Sequence, residues 1–501
     1  MGENKDFEKK ADVEERPIVG DEKFSSEALQ RDTADLGTIG ELIKGKLADA
    51  DFLARLNGIA LARSRPISQN DQDNEDEEEI TDAEFQAWAE VSKQKIDAKP
   101  DNPDNWYQHG VAVASLGQNE DAEESLERAV DLAPQHAKAW YWLGTVRNAL
   151  GYDSKAAEAY NKATEFASDW AQAWCDKGVS LAKLGQFEES TKAFDISLKL
   201  NDKDAFTWCN KGCMLRDMNL FEESLEALTI ATELNEKAAD VWDFRGDVLR
   251  TLGRLDEAIY CFEQTVQLNP DHALGWLDLG QALSSQGKHD KCIEFLDKAI
   301  DLSYPDVRPY VLKILALLEL GRIEEAVESC DEGMDKWKDI KLFQLKAGLL
   351  WMCKKYEECI KFVDAAADLG FDDDQLAMTK VGALFELKRF HECLNELDNV
   401  LSRCPDDLEA LCNKAYCLCK IGKSDDAFQD IDKAIESDPN RARSWYTKAA
   451  ICAVLDDSGQ FFSCLRKAIE LDPQLAQEAM DEEDFAPYKD LDEFERTIGE
   501  Y

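Results

Sequence analysis

Basic residues are scarce in this 501-residue chain: 58 Lys and Arg stand against 104 Asp and Glu, for a formal net charge of −46. Proteins that grip nucleic-acid phosphates draw most of their affinity from Lys and Arg, so this balance argues against nucleic acid as a partner. An anionic membrane surface repels the chain for the same reason. Long apolar runs are also lacking. The nearest, Val311 to Leu320, is broken by Lys313 and Glu319 and falls far short of the ~20 apolar residues that span a bilayer. Met1 to Lys10 is charged, without the apolar core of a secretory signal, and Asp6 stands where a myristoylation signal starting at Gly2 wants Ser or Thr. A soluble, cytoplasmic protein is the expectation.

Groups for chemistry are sparse too. The five histidines, His109, His136, His272, His289 and His391, are scattered, and no Gly-rich phosphate loop, Gly-x-Ser-x-Gly elbow or His-Glu-x-x-His motif occurs. Neither catalysis nor a cofactor or metal is therefore expected. No cysteine precedes Cys175, and fifteen in a long intracellular chain do not read as a disulfide framework. Cys412, Cys417 and Cys419 cluster on one predicted helix, with Cys412 and Cys419 sharing a face, but they lack the Cys-x-x-Cys pairing of a zinc site.

What the chain does have is apolar mass, 44% hydrophobic with 12 Trp, 12 Tyr and 22 Phe, enough to bury a core despite the charge. It also has a period. Trp106, Trp140, Trp174, Trp208, Trp242 and Trp276 are 34 residues apart, and each is followed four residues later by glycine: Gly110, Gly144, Gly178, Gly212, Gly246 and Gly280. Continuing in phase gives eleven units starting near 103, 137, 171, 205, 239, 273, 307, 341, 375, 408 and 442. In the unit from 239, Trp242, Arg245, Gly246 and Leu249 mark one face of a first helix, the chain turns at Gly253, and Ala258, Phe262 and Thr265 mark a second helix that Pro270 ends. A lone helical pair cannot bury such faces, so the units must stack.

This pattern of Trp, Leu-Gly, Ala, Phe and Pro resembles the tetratricopeptide repeat, over 373 of 501 residues. The resemblance implies an all-α, right-handed α-solenoid. Departures are local: position 8 is Ile314, Ala415 and Ala449 in three units, and the unit from 341 reads as having a turn one residue short at Lys354-Lys355-Tyr356, recovered by Leu408. Around the array (103–475), the sequence predicts an acidic arm (1–63) with an apolar helical stripe from Leu36 to Ile59, an acidic linker (64–80), an N-terminal capping helix (81–102) opened by Thr81 and Glu84, and an acidic C-terminal capping helix (476–501).

The resemblance further implies that the first helix of each unit lines a concave groove through positions 2, 5, 9, 12 and 13. Two ligand modes of the family fail here. The Lys and Asn set that clamps a C-terminal carboxylate is missing, and only Asn210 and Asn413 occupy the position of an asparagine ladder. Three zones remain. Tyr107, Tyr141 and Trp142 offer aromatic faces with polar tips suited to protein contact. Arg216 and Arg250 with Asp243 and Asp247 read as a neutralising ion-pair network. Val311, Leu315 and Leu318, with Leu345, Leu349 and Met352, make two helices apolar around most of their circumference, and an open groove would leave that surface in water. These features predict a non-enzymatic scaffold for a neutral or basic protein or peptide. The alternative is a subunit that self-associates through residues 36–60 or through the apolar groove near 307–352.

Overall fold

The computed structural model describes residues 81–499, and all regular structure there is helical. The chain separates into two compact units, Met1–Gln286 and Gly287–Tyr501. The amphipathic stretch from Leu36 to Ile59 and the linker lie outside the described residues.

The first unit opens with helix Asp82–Ala98, whose start is closed by the expected capping box: the Thr81 backbone N–H donates to Glu84 Oε2 at 2.9 Å. Helical pairs follow. The first members, called A, are Pro103–Ser115, Ala137–Ala149, Ala171–Lys183, Ala205–Asp217, Ala239–Thr251 and Ala273–Ser285; the second, called B, are Asn119–Leu132, Asp153–Phe166, Phe187–Leu200, Phe221–Leu234 and Leu255–Leu268. The second unit begins with His289–Asp301. It continues through the pairs Arg308–Glu319 and Ile323–Lys336, Ile340–Met352 and Tyr356–Asp368, Asp374–Glu386 and Phe390–Arg403, Leu408–Lys420 and Ser424–Ser437, and Ala442–Val454 and Ser458–Leu471. The expected single C-terminal helix is instead three pieces: helix Leu475–Asp481, a 3-10 turn Glu483–Tyr488 containing Pro487, and helix Asp492–Gly499.

Three residues join A to B in every pair, and the middle one takes a left-handed conformation. Glycine supplies it at no steric cost in most units, as at Gly253 (φ 75°), whereas Lys354 adopts it (φ 58°) with a side chain. Within a pair, the position-8 glycine is required by proximity. A Cβ on Gly246 would lie 2.7 Å from the Phe262 ring, and one on Gly144 would lie 2.8 Å from Tyr160. Where position 8 is the larger Ile314, the facing position sixteen residues later is the smaller Cys330, and both are fully buried. Gly246→Ala should therefore lower stability by about 1–3 kcal/mol through overpacking. At Gly348, where an added Cβ meets nothing within 4 Å, alanine should be neutral or stabilising by up to ~1 kcal/mol; paired urea melts distinguish the two.

Between pairs, two periodic devices hold the stack. Each tryptophan at position 4 donates its ring N–H to the carbonyl six residues earlier, Trp106 to Pro100 at 2.7 Å and Trp276 to Pro270 at 2.8 Å among them. A lysine on helix A also reaches the aspartate on the preceding helix B: Lys211 to Asp195 (2.8 Å), Lys313 to Asp297 (2.7 Å), Lys380 to Asp364 (2.6 Å), Lys414 to Asp398 (2.9 Å) and Lys448 to Asp432 (2.6 Å), always sixteen residues back. The Lys346–Asp331 pair is fifteen residues apart.

That exception locates the missing residue. It falls in the link 337–339 between Lys336 and Ile340, not in the turn around Lys354, which has the usual three residues. The units expected at 341 and 375 begin at Ile340 and Asp374, and the shift persists to the end of the array rather than being recovered. Cys359 and Cys393 confirm the frame: their thiols donate to the Ala347 and Val381 carbonyls, twelve residues back, as the Ser190 hydroxyl does to Gly178.

Candidate partner-binding face

In most repeats of each unit helix A touches the next helix A, more extensively than helix B touches the next helix B, so helix A forms the inner side. One residue turns a helix by about 100°, so the frame shift changes which side chains reach that side. With Ile340 as position 1, inner positions 5, 9, 12 and 13 are Gln344, Gly348, Trp351 and Met352, in place of Leu345 and Leu349 at the first two. Leu349 accordingly lies in the core at 1% exposure, and Leu345, four residues earlier, is half-buried.

The unaffected positions stay on the inner side. Leu315 is 43% exposed, Val311 and Leu318 are half-buried, and Met352 is 54% exposed. Trp351, missed by the sequence reading because of the slip, joins them at 41%. Its ring nitrogen lies 3.2 Å from where a Cβ on Gly382 would sit, so the indole rests over a glycine of the next A helix. One repeat earlier, at the same position, a Cβ on Gly348 would meet nothing within 4 Å, so the backbone there is bare. Farther along, the Phe385 and Tyr416 rings lie 5.2 Å apart. The Tyr416 hydroxyl donates to Asp484, and the Lys420 ammonium is 2.6 Å from that same carboxylate, so the 3-10 turn reaches back to close the end of this face. Burial and Asp484 together hold the Tyr416 phenol far above its ordinary range.

The aromatic zone of the first unit is not accessible. Tyr107, Tyr141 and Trp142 are 8%, 1% and 5% exposed. Tyr141 lies 4.5 Å from the Trp170 ring and 5.6 Å from Tyr160, and its hydroxyl donates to Asp176 at 2.5 Å. These aromatics are packing groups, because large flat side chains at a repeat junction lose more water by stacking than they would keep by facing it. The charged zone is an ion-pair network: Asp247 sits 2.6 Å from Arg250 and 3.6 Å from Arg216, which also holds Asp217 at 2.8 Å. Burial acts against the Arg216 charge, but Cys213, Asp217 and Asp247 outweigh it and push its pKa up.

Cys412, Cys417 and Cys419 do not form one site. Cys417 belongs to the core shared with Cys393, while Cys412 and Cys419 face the next repeat, 3.5 Å from the Ser444 hydroxyl and 3.8 Å from the Ile451 carbonyl. Burial raises the Cys412 and Cys419 thiols, the opposite of an activated thiolate. Among the described residues no group of His, Cys, Asp and Glu is placed to hold a metal, and no helix is long and apolar enough to cross a membrane.

Comparison with known proteins gives a consistent family. Tetratricopeptide-repeat profiles match residues 107–173, 171–204, 273–305, 408–441 and 442–475, and a further TPR profile matches 246–287. Among curated proteins no sequence matches the chain. Similar solved structures include PilF of Pseudomonas aeruginosa (17% identity, 42% of this chain and 97% of that one, TM-score 0.38). A tetratricopeptide-repeat protein from Parabacteroides merdae is similar at 17% identity, over 53% and 98% of the two chains, with TM-score 0.37. YrrB, described as a TPR protein with an unusual peptide-binding site, is similar at 20% identity, over 37% and 96%, with TM-score 0.33. With the 34-residue period, the A and B pairs and the profile matches in agreement, the matched segments of this chain are tetratricopeptide repeats.

Proposed function

We propose that this protein is a non-catalytic scaffold that holds a protein partner against the inner face of its second unit. Repeats of this family serve as protein-interaction modules in general. The observation that carries the specific reading is the exposure of Leu315, Trp351 and Met352, at 43%, 41% and 54%, on the side where A helices meet. Large apolar side chains grouped on one surface mark partner sites, because covering them with another apolar face releases water from both. Val311 and Leu318 widen the strip, and the bare backbone at Gly348 leaves room for a bulky side chain from the partner. With a chain charge of −46, the favoured partner is neutral or basic, and its association should slow as salt rises.

The test is a double substitution, Leu315→Glu with Trp351→Ala, in the full chain. Partner capture, quantified by mass spectrometry, should fall at least tenfold with unchanged helix content, and equal capture by wild type and variant would sink the proposal. Mass measurement in solution separates the self-assembly reading. A wild-type dimer that the same substitutions convert to monomer would assign the face to a second copy.

A further inference from the structure

In three repeats of the first unit, position 7 of helix A lays a cation on the position-4 tryptophan three residues before it. Lys177 lies 4.5 Å from the centre of the Trp174 ring, Lys211 lies 5.6 Å from that of Trp208, and Arg245 lies 5.5 Å from that of Trp242. In the repeat from 137 that position is Leu143, and no lysine or arginine among the described residues covers the Trp140 ring. Glu127, sixteen residues before Leu143, stands where Asp195 stands for Lys211. The acid of this rung is kept and its cation is gone.

In its place is a cleft of about 650 Å³ between helices Asn119–Leu132 and Asp153–Phe166, with Ala137–Ala149 behind it, a size usual for ligand sites. Leu143 and Val130 give it an apolar floor. The Trp140 ring N–H is committed to the Pro134 carbonyl at 2.8 Å, which fixes the indole at the wall and leaves its face as the group on offer. Of the charged side chains lining the cleft, Arg147 is held by Glu123 at 2.9 Å and Glu127 at 2.7 Å, and Lys162 by Glu165 at 2.8 Å. Asp131 and Glu158, one on each flanking helix, have no ion pair among the described residues. Leu279 follows Trp276 in the same way, but there Gln267 stands in the place of Asp131, and the second acid is lost.

We propose that this cleft binds an arginine side chain of a partner protein, the guanidinium stacked on Trp140 and its N–H groups directed to Asp131 and Glu158. The electron-rich face of an indole attracts a cation. A planar guanidinium can lie flat on that face with its edge free to donate to carboxylates, which a compact ammonium cannot do. Its aliphatic stem then covers Leu143 and Val130. The partner supplies in trans the cation that neighbouring repeats carry in cis. The cleft lies wholly within the first unit, so the site stands whether or not the inner face of the second unit binds a partner.

Fluorine NMR of the full chain, labelled with fluorotryptophan and assigned through Trp140→Phe, tests it. The probe is a capped peptide with one arginine between two leucines; its control carries citrulline instead, which keeps the shape and loses the charge. The Trp140 signal should move saturably with the arginine peptide, and the citrulline peptide should bind at least tenfold more weakly. Asp131→Asn with Glu158→Gln, both at exposed positions, should weaken the arginine peptide at least tenfold with the thermal melt unchanged. Leu143→Lys, which returns the missing cation, should abolish the shift; should that variant not fold, the Asn and Gln pair carries the test alone. A Trp140 signal that stays still, equal shifts with the two peptides, or equal affinity in the double variant would overturn the proposal.

Discussion

Phe485→Ala should detach the C-terminal closure and cost about 3–5 kcal/mol, the range for removing a fully buried phenylalanine. Phe485 has no exposed surface, and its ring lies 4.9 Å from Phe461 and 5.4 Å from Tyr446. The same ring of Phe461 is stacked by Tyr488 at 4.3 Å, so one side chain anchors a cluster rather than a single contact. Asp484 precedes it, and losing the anchor also withdraws that carboxylate from Tyr416 and Lys420. The last B helix, Ser458–Leu471, would then face water with Phe461 and Phe462 uncovered, the failure that terminal caps prevent in stacked repeats. The measurement is the urea midpoint of the full chain together with hydrogen exchange in Ser458–Leu471. Phe485→Leu should recover most of the loss, and a change below ~1 kcal/mol for the alanine variant would show that the 3-10 turn is decoration.

The second large effect is a contrast between neighbouring repeats. Leu349→Glu places a carboxylate at a site with 1% exposure, where an unpaired charge costs several kcal/mol or forces protonation. The second unit should lose cooperative melting at neutral pH and recover part of it in acid, since a protonated glutamic acid is cheaper to bury. Leu315→Glu, at 43% exposure, should change stability by no more than ~0.5 kcal/mol, as surface substitutions usually do. Equal destabilisation by the two would show that Leu315 is core and would remove the basis of the proposed face.

That contrast also measures how far the residue pattern could be read unaided. The period of 34, the eleven pairs, the capping box at Thr81 and the charged network around Arg216 were legible, because each depends on spacing along one or two helices. Val311, Leu315, Leu318 and Met352 were legible on the inner face too, but the places of Leu345, Leu349 and Trp351 were not. A single residue missing between Lys336 and Ile340 rotates every later helix A by about 100° relative to a frame counted from Trp106. Leu349 then reads as a groove residue and Trp351 does not. The signal was present in the charges, since Lys346 follows Asp331 by fifteen residues where every other rung takes sixteen, but it is recognisable only once the pairing is known. Tyr107, Tyr141 and Trp142 were misplaced for another reason: periodicity says which residues share a face, not whether a neighbouring repeat already covers it.

The scarcity of basic residues, noted first, settles into a role of its own. Of the lysines and arginines in the array, many are committed to aspartate rungs between repeats, so the cations hold the stack together and the excess acid faces outward. The sequence by itself determined the repeat, its helical content and the absence of any recognisable catalytic or phosphate-binding motif, because these follow from composition and from short-range periods that one helix or one turn enforces. Only the tertiary structure decided which side of each helix stays in contact with water, where the lost residue falls, and that Asp484 returns more than sixty residues to meet Lys420. Those are contacts between distant parts of the chain, and they are set by how neighbouring layers pack rather than by any local preference of the residues that make them.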